Sequence, residues 1–590
     1  MSRRLILLVF ICAALAPAPS RAADDPQASE ALKQLFAAQW ERGLQESPES
    51  ASNYGDRRFN DRWRDDSLIA ISHRQQEDLV ALRKLQVIDR SRLSSADQLN
   101  FDTFQWQLER GIERQKFREY LRPIGHTGGV QTADSIIEVL PFASTADYRD
   151  WLKRMDALPE LIDQSIALMR EGMKAGNMPP KVLMQRVSAQ IAAQVVTDPV
   201  ASAFYRPFRK FKDAIPEAER AALQREARRS ISERIVPAYR RLGTFFNDTY
   251  LPRSRDTVAA ADLPDGKAYY DFLARYNTTT ELTAAQIHAI GLEEVARLRA
   301  RMEQVKGQTG FKGSMDEFFV YLRSDSRFFE KSPAALLEHY QALSKRIDPE
   351  LVKISRLIPR LPYGVRPIPD NVAPDVTTAY YQPGAGDGSR PGYYYVNLYK
   401  PEVRPTWEMM PLSLHEAVPG HHFQFARAAE LQELPMFRRN AYFVAYSEGW
   451  GLYAEQLGYD MDLYEEPYDR FGQLSYEMWR AVRLVVDTGM HSMGWSRERA
   501  IAYFKANCPK TDQDIVNEID RYIGDPGQAL AYKIGQMKIS QLRDKAHNAL
   551  GPRFDLRDFD DAVLETGSVP LSALQVHIDA WIAVQLRLNR

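Results

Sequence analysis

One short stretch concentrates the chemistry of this chain: Leu414-His415-Glu416-Ala417-Val418-Pro419-Gly420-His421-His422-Phe423. The sequence has 10 histidines in 590 residues, and three of them lie in this stretch. Neutral imidazole is a preferred zinc ligand, and a glutamate after the first histidine can act as base on a water molecule that the metal acidifies. The stretch therefore predicts a catalytic zinc site in which His415 is a ligand and Glu416 is the general base.

The second histidine ligand does not follow directly from the spacing. In the common metalloprotease pattern two histidines four residues apart share a helical face, whereas His421 is six residues after His415 and Pro419 lies between them. Because proline removes a backbone hydrogen bond, it favours a bulge or kink that could return His421 to the face of His415. His422 is the alternative ligand, since it is seven residues after His415 and would share its face on an unbroken helix.

A carboxylate on a later helix can complete a two-histidine site. Glu448 and Glu455 are seven residues apart and can lie on one helical face. We expect Glu448 to bind zinc, and Glu455 to orient a histidine or to bind a substrate amine. Gly449 and Gly451 flank Trp450 and are unfavourable inside a helix, which predicts the close approach of another element such as the histidine helix.

The composition is that of a globular protein with a large core. Hydrophobic residues make up 44% of the chain and charged residues 26%. The 77 basic and 78 acidic side chains nearly cancel, so the net charge gives no reason to expect nucleic acid as a partner. No repeat or low-complexity linker divides the chain, and we expect residues 23–590 to form one unit, with approximate lobes 23–280 and 281–590.

The first 22 residues read as a secretory signal peptide. Arg3 and Arg4 precede an apolar run from Leu5 to Ala16, and small residues stand at the two cleavage positions of Ser20-Arg21-Ala22. Cys12 lies inside the apolar run without a small residue before it, so lipidation is not expected. No later stretch is long and apolar enough to span a membrane. We therefore expect a periplasmic or secreted protein.

Helical periodicity dominates the remaining chain, which predicts a mainly α fold. An amphipathic helix is expected to open at Thr283, and the other clear helical segments are 31–44, 148–172, 216–246, 333–347 and 474–490. Residues 357–376 contain five prolines and are predicted to be an ordered connector. Residues 377–398 are predicted to form a small antiparallel sheet, a hairpin whose edge, with Tyr394, could bind an extended peptide beside the site.

Three segments together resemble the bacterial family known as domain of unknown function 885. They are the run from His415 to Phe423, the run Ser447-Glu-Gly-Trp-Gly-Leu-Tyr-Ala-Glu455, and the run Asp525-Pro-Gly-Gln-Ala-Leu-Ala-Tyr532-Lys-Ile-Gly535. That family in turn is similar to the zinc metallopeptidases with a glutamate ligand. The resemblance implies a large helical fold with two lobes around a deep cleft, and a zinc ion held by His415, His421 and Glu448.

The same resemblance implies further site residues. Such peptidases stabilise the oxyanion with a tyrosine or histidine from late in the chain, which makes Tyr532 the first candidate and His491 the second. Arg480 and Arg483, on the preceding helix, are candidate contacts for a peptide carboxylate.

The function expected from the sequence is hydrolysis of peptides by an exported zinc peptidase of oligopeptidase, dipeptidase or carboxypeptidase type. Two alternatives stay open. The chain could be an inactive, peptidase-like binding protein, because the histidine spacing is widened, or it could be a zinc hydrolase of a non-peptide amide.

Overall fold

A computed structural model describes residues 25–587 apart from 370–372, 374–377, 386, 387 and 389. The predicted signal peptide, residues 1–22, lies outside the described residues. Within them α-helix dominates, so the prediction of a mainly α fold is confirmed. Among the described residues no helix combines the length and the apolar character needed to cross a membrane.

The helices before residue 350 follow the periodicity of the sequence. The side chain of Thr283 accepts a hydrogen bond from the Gln286 backbone amide, and the Gln286 side chain accepts one in return from the Thr283 amide, which caps a helix at the predicted residue. The segments predicted as helical in this half are helical, with a π-helical turn inside 216–246. These helices are α1 (Pro26–Glu46), α2 (Pro48–Tyr54), α3 (Leu68–Gln86), α4 (Ser95–Gln115), α5 (Thr145–Lys174), α6 (Lys181–Ala193), α7 (Arg206–Arg209), α8 (Glu217–Ser230), α9 (Val236–Phe245), α10 (Gly266–Thr278), α11 (Ala284–Gln308), α12 (Met315–Ser324) and α13 (Pro333–Ile347).

The helices after residue 400 carry the predicted site residues. They are α14 (Met409–Glu416), α15 (His421–Glu430), α16 (Met436–Arg439), α17 (Val444–Asp460), α18 (Pro467–Ser492), α19 (Arg497–Asn507), α20 (Asp512–Gly524), α21 (Ala531–Leu550), α22 (Leu556–Leu564) and α23 (Leu571–Arg587). Helix α18 packs along α11, and α17 packs along α21. Helix α18 is buried from Phe471 to His491, so it forms the centre of this half of the molecule.

Two glycines on α17 allow neighbouring helices to approach closely. A Cβ atom on Gly451 would lie 2.8 Å from the His415 ring, so the predicted approach of the histidine helix is confirmed at this position. At Gly449 the neighbour is α21 instead, where a Cβ would lie 2.6 Å from the Cα of Gly535. The same crossing leaves only 1.8 Å between a Cβ on Gly535 and the carbonyl oxygen of Ala445.

Replacing Gly535 by alanine is therefore expected to lower the free energy of unfolding by about 1–3 kcal/mol, since a backbone carbonyl cannot move aside without shifting α17. The denaturation midpoint in urea measures the effect. Gly307→Ala on α11 is the matched control, because no atom lies within 4 Å of its Cβ position. That exchange is expected to stabilise the helix by roughly 0.5–1 kcal/mol. Equal midpoints for the two variants would contradict the close crossing.

The sheet beside the site is small and mixed. Its strands are β1 (Tyr363–Pro367), β2 (Ala379–Gln382) and β3 (Gly392–Val396), in the order β1-β3-β2. The predicted hairpin is confirmed, because β2 pairs antiparallel with β3. The prediction of a purely antiparallel sheet, with 357–376 as a connector, is wrong because β1 pairs parallel to β3. Strand β1 ends on Pro367 and tolerates this proline because it lies at the edge of the sheet.

One hydrophobic cluster joins most of the described chain. It runs from Ile124 to Ile582 and includes residues on both sides of the predicted boundary near residue 280. The division into two lobes around a deep cleft stays a prediction. Cys508 is a buried free cysteine, and the helical core is held by packing.

Candidate metal and active site

The two predicted histidine ligands belong to different helices. Helix α14 ends at Glu416 and α15 begins at His421, so the expected bulge within one helix is wrong and the helix stops altogether. Proline cannot continue the backbone hydrogen-bond ladder of α14, which explains the stop. The indole nitrogen of Trp450 donates a hydrogen bond of 2.7 Å to the Pro419 carbonyl oxygen and fixes this connector against α17.

The break brings His415 and His421 together with Glu448. One ligand atom from each of the three buried residues lies within 4.8 Å of the other two. The Oε2 atom of Glu448 is 3.5 Å from Nε2 of His415 and 3.4 Å from Nε2 of His421. Tetrahedral zinc with bonds of 2.0–2.1 Å separates its ligand atoms by about 3.3 Å. The spacing and the donor types therefore both fit a zinc ion between these three side chains.

An unpaired oxygen of Glu448 and the orientation of His415 also indicate a metal site. Among the described residues, Oε2 of Glu448 is buried and has no hydrogen-bond partner, while its Oε1 accepts a bond of 2.8 Å from the Tyr442 hydroxyl. A buried carboxylate oxygen without a partner is costly, and a cation would satisfy it. On the far side of His415, Nδ1 donates to Oε1 of Glu455 at 2.8 Å, which turns Nε2 toward Glu448. A carboxylate behind a histidine is the usual outer support of a metal ligand.

The surroundings of His415 and Glu448 favour a charged imidazole beside an ionised carboxylate. Burial by itself lowers the pKa of His415, but contacts with Glu448 and Glu455 outweigh it and raise this pKa to about 9. Burial raises the pKa of Glu448, whereas the charge of His421 and contacts with both histidines lower it well below its usual value. The low pKa of Glu448 favours its ionised carboxylate, which is the form that binds a metal ion.

The three side chains open into a cavity of about 410 Å³. Glu416, the predicted base, is half-buried in its wall, and no described group forms a hydrogen bond with its carboxylate. Strand β2 also forms part of the wall, through Tyr380 and Tyr381. The other polar side chains that line the cavity include Tyr442, Tyr476, Arg480, Arg483, Glu518, Arg521 and Tyr532.

Tyr532 lies next to the candidate ligands, and its role as oxyanion donor stays a prediction. Its ring is stacked at 6.4 Å from the ring of His415. Its hydroxyl oxygen accepts hydrogen bonds from Nη2 of Arg521 at 3.1 Å and from the side-chain amide of Gln528 at 3.5 Å. Because both contacts use the oxygen as an acceptor, the hydroxyl proton stays available for an oxyanion.

The structure does not bring His422 or His491 into the site. Nε2 of His422 donates to the Leu361 carbonyl at 3.0 Å and Nδ1 accepts from the Tyr381 hydroxyl at 2.9 Å, so neither nitrogen is available to a metal. Burial lowers the pKa of His422 to about 4. His491 is fully buried, and its two nitrogens contact the backbone of Ala260 and Tyr522 at 2.9 and 3.0 Å. The assignment of His491 as an oxyanion donor is therefore corrected to a structural role.

Two expected substrate contacts are also corrected. Tyr394 alternates inward along β3, is fully buried, and packs edge-on against Tyr340 instead of facing the cavity. Glu455 is fully buried as well, and its contact with His415 corresponds to the histidine-orienting alternative rather than to binding of a substrate amine. Arg480 and Arg483 line the cavity, and their contact with a peptide carboxylate stays a prediction.

Sequence reasoning missed several polar residues of the cavity, among them Arg521, Glu518 and Tyr442. Arg521 and Glu518 lie on α20 just before the segment 525–535 that carries Tyr532, and this proximity was the only signal for them. Tyr442 lies just before α17, and its hydroxyl donates a hydrogen bond to Glu448 within that helix. This contact depends on how the chain enters the helix, which the sequence does not show.

Comparisons with known proteins show a family and a fold. A family described as "Bacterial protein of unknown function (DUF885)" matches residues 48–578. The chain is similar to the solved structures of two putative lipoproteins. That from Colwellia psychrerythraea has 28% identity and a TM-score of 0.89, covering 95% of this chain and 100% of that chain. That from Shewanella oneidensis, of unknown function, has 18% identity and a TM-score of 0.69, covering 92% and 99%, and shows the fold alone. No curated protein matches the chain.

Proposed function

This chain belongs to that bacterial family of unknown function, and we propose that it is an exported zinc-dependent peptidase. The observation that carries the proposal is the convergence of His415, His421 and Glu448 at the wall of a cavity that also holds Glu416. Two imidazoles and one carboxylate, with an adjacent glutamate, are the donor set of hydrolytic zinc sites. Export is supported by the leader-like residues 1–22 and by the likeness to chains described as lipoproteins.

The reaction follows from the roles that the side chains can take. A bound zinc ion would polarise the scissile carbonyl and lower the pKa of a water molecule beside Glu416. The carboxylate of Glu416 takes a proton from that water and passes it to the leaving amine. Tyr532, held by Arg521, donates its hydroxyl proton in a hydrogen bond to the oxyanion. Glu455 keeps Nε2 of His415 directed at the metal.

Metal content and peptide cleavage together test the proposal. The purified protein is expected to hold about one zinc ion per chain and to cleave members of a peptide library, and removal of zinc with a chelator is expected to abolish cleavage reversibly. A protein that holds no zinc and cleaves no peptide would be the binding protein of the alternative reading. A protein that holds zinc, spares peptides and cleaves small amides would favour the non-peptide hydrolase.

Replacing Glu455 by glutamine is expected to weaken zinc binding by about 10–100-fold, since a neutral amide supports His415 less well than a carboxylate. Competition with a chelating dye measures the dissociation constant. Glu293→Gln, an exposed position on α11, is the matched control and is expected to leave zinc affinity unchanged. Equal zinc affinity in Glu455→Gln and the wild type would remove Glu455 from the metal site.

A further inference from the structure

Two arginines in the cavity wall are almost completely buried. Arg480 and Arg483 are 4% and 2% exposed and lie three residues apart on α18. Burying a guanidinium group is costly unless its N–H groups find partners, preferably carboxylates. The contacts of these two side chains therefore show whether the protein itself supplies a partner for each N–H group.

Arg483 is incompletely paired. Its Nε donates to the Tyr522 hydroxyl at 2.8 Å and its Nη2 donates to Oε2 of Glu518 at 3.0 Å. Its Nη1 is buried and has no hydrogen-bond partner among the described residues.

Arg480 is less well paired than Arg483. Its Nη1 donates to the Tyr476 carbonyl of its own helix at 3.3 Å, and its Nε is buried without a partner. Its Nη2 lies 3.5 Å from Oε1 of Glu455, which is longer than a charge-assisted hydrogen bond of 2.7–2.9 Å. That same carboxylate oxygen already accepts from His415, so Arg480 has no carboxylate of its own.

A third arginine increases the local positive charge. Arg521 lies in the same cavity, 3.7 Å from the Glu518 carboxylate that also pairs with Arg483. Three guanidinium groups thus share Glu518 and Glu455, and Glu455 is shared with His415 as well. Among the described residues, these two carboxylates are the only ones that form ion pairs with the three arginines.

Arg480 and Arg483 lie close to the ring of Tyr532, which in turn lies next to the metal ligand His415. The guanidinium carbon atoms of Arg483 and Arg480 are 4.3 and 5.9 Å from the centroid of the Tyr532 ring, and the centroid of the His415 ring is 6.4 Å from the same point. One extended residue of peptide spans about 3.3–3.6 Å. An anion on Arg480 and Arg483 would therefore lie one or two residues from a bond cleaved at the metal.

We propose that the incompletely paired guanidinium groups of Arg480 and Arg483, which line the cavity, bind the free C-terminal carboxylate of the substrate, which makes the enzyme a carboxypeptidase-type exopeptidase. This inference rests on the proposed function. The planar fork of a guanidinium matches a carboxylate, and the buried setting makes the pair selective for a charged chain end over an internal peptide bond. The enzyme releases one residue or a dipeptide from the C-terminus.

The test compares two probes that differ only at that end, acetyl-tetraalanine and acetyl-tetraalanine amide. The wild type is expected to cleave the free acid with a kcat/KM on the order of 100-fold higher than the amide, because the amide leaves the arginines unpaired. Mass spectrometry is expected to show products shortened by one or two residues from the C-terminus. Equal kcat/KM values for the two probes, or cleavage independent of distance from the C-terminus, would overturn the inference and leave the peptidase proposal standing.

Single-residue variants test whether Arg480 and Arg483 cause the preference for the free acid over the amide. Arg480→Gln and Arg483→Gln are each expected to reduce the acid-to-amide ratio at least about tenfold, and Arg483→Lys is expected to recover part of it. Arg470→Gln is the matched control on α18, because Arg470 contacts the Tyr464 carbonyl and Gln308 outside the cavity, and its ratio is expected to equal that of the wild type. Unchanged ratios in both cavity variants would overturn the assignment.

A binding measurement separates this inference from the proposed function. Calorimetry with the same two probes on the chelator-treated protein, which cannot cleave them, is expected to show tighter binding of the free acid, with the difference lost in Arg480→Gln. If the acid binds selectively but no peptide is cleaved, the carboxylate site stands and the peptidase proposal fails. If neither probe binds and neither is cleaved, both fail.

Discussion

Glu416→Gln is expected to lower kcat/KM for peptide cleavage by about 10²–10⁴-fold while the zinc content stays at that of the wild type. Glutamine has the shape of glutamate but cannot accept the proton of the attacking water. Glu416 lines the cavity beside the ligands without being one of the three convergent groups, so the metal should remain bound. Steady-state kinetics with acetyl-tetraalanine and metal analysis of the same sample measure the two quantities.

The matched control is Glu338→Gln, an exposed exchange of the same kind on α13 that should change neither quantity. Cleavage by Glu416→Gln within a few-fold of the wild type would rule out Glu416 as the base. Loss of zinc together with activity would instead make Glu416 part of the metal site.

His421→Ala is expected to lose zinc, with affinity falling by more than the 10–100-fold that the loss of an outer support costs, while His422→Ala retains it. The pair is informative because the two residues are adjacent and both are buried. Only His421 directs a nitrogen at Glu448, whereas His422 uses both nitrogens on Leu361 and Tyr381. Equilibrium dialysis against zinc measures the affinity of each variant.

His422→Ala also serves as the folding control, since it removes a buried imidazole and its hydrogen bonds and should lower the unfolding midpoint without changing zinc affinity. The reverse result, with zinc lost from His422→Ala and kept by His421→Ala, would place the metal on the other histidine and contradict the arrangement of α14 and α15.

Local patterns allowed much of the fold to be predicted. Helical periodicity and the Thr283 cap located the main helices, since an amphipathic stripe and a side-chain cap are properties of neighbouring residues. The approach of the histidine helix to Gly451 could also be predicted, because a glycine inside a helix is costly unless something occupies its space. Strand β1 was missed because its partner in the sheet is remote in sequence and because the five prolines of segment 357–376 indicated a connector.

The individual roles of site residues were harder to predict. Sequence spacing left His421 and His422 open, because the choice depends on how the chain turns at Pro419. Tyr394 and His491 lie on buried faces of the right elements, and the sequence around them gives no indication of which face that is. Arg521 was missed because its contact with Tyr532 crosses from one helix to another.

The two imidazoles stand at facing ends of consecutive helices, so the connector of four residues, 417–420, rather than helical pitch determines their separation. Lengthening or shortening that connector would displace one ring and leave both helices intact. In such a site, changes in the connector can alter the distance between the two histidine ligands. Two histidines on one continuous helix share a face only when their spacing is close to a whole number of helical turns. The hydrogen bond from Trp450 to the Pro419 carbonyl oxygen holds the connector in place and limits such a displacement.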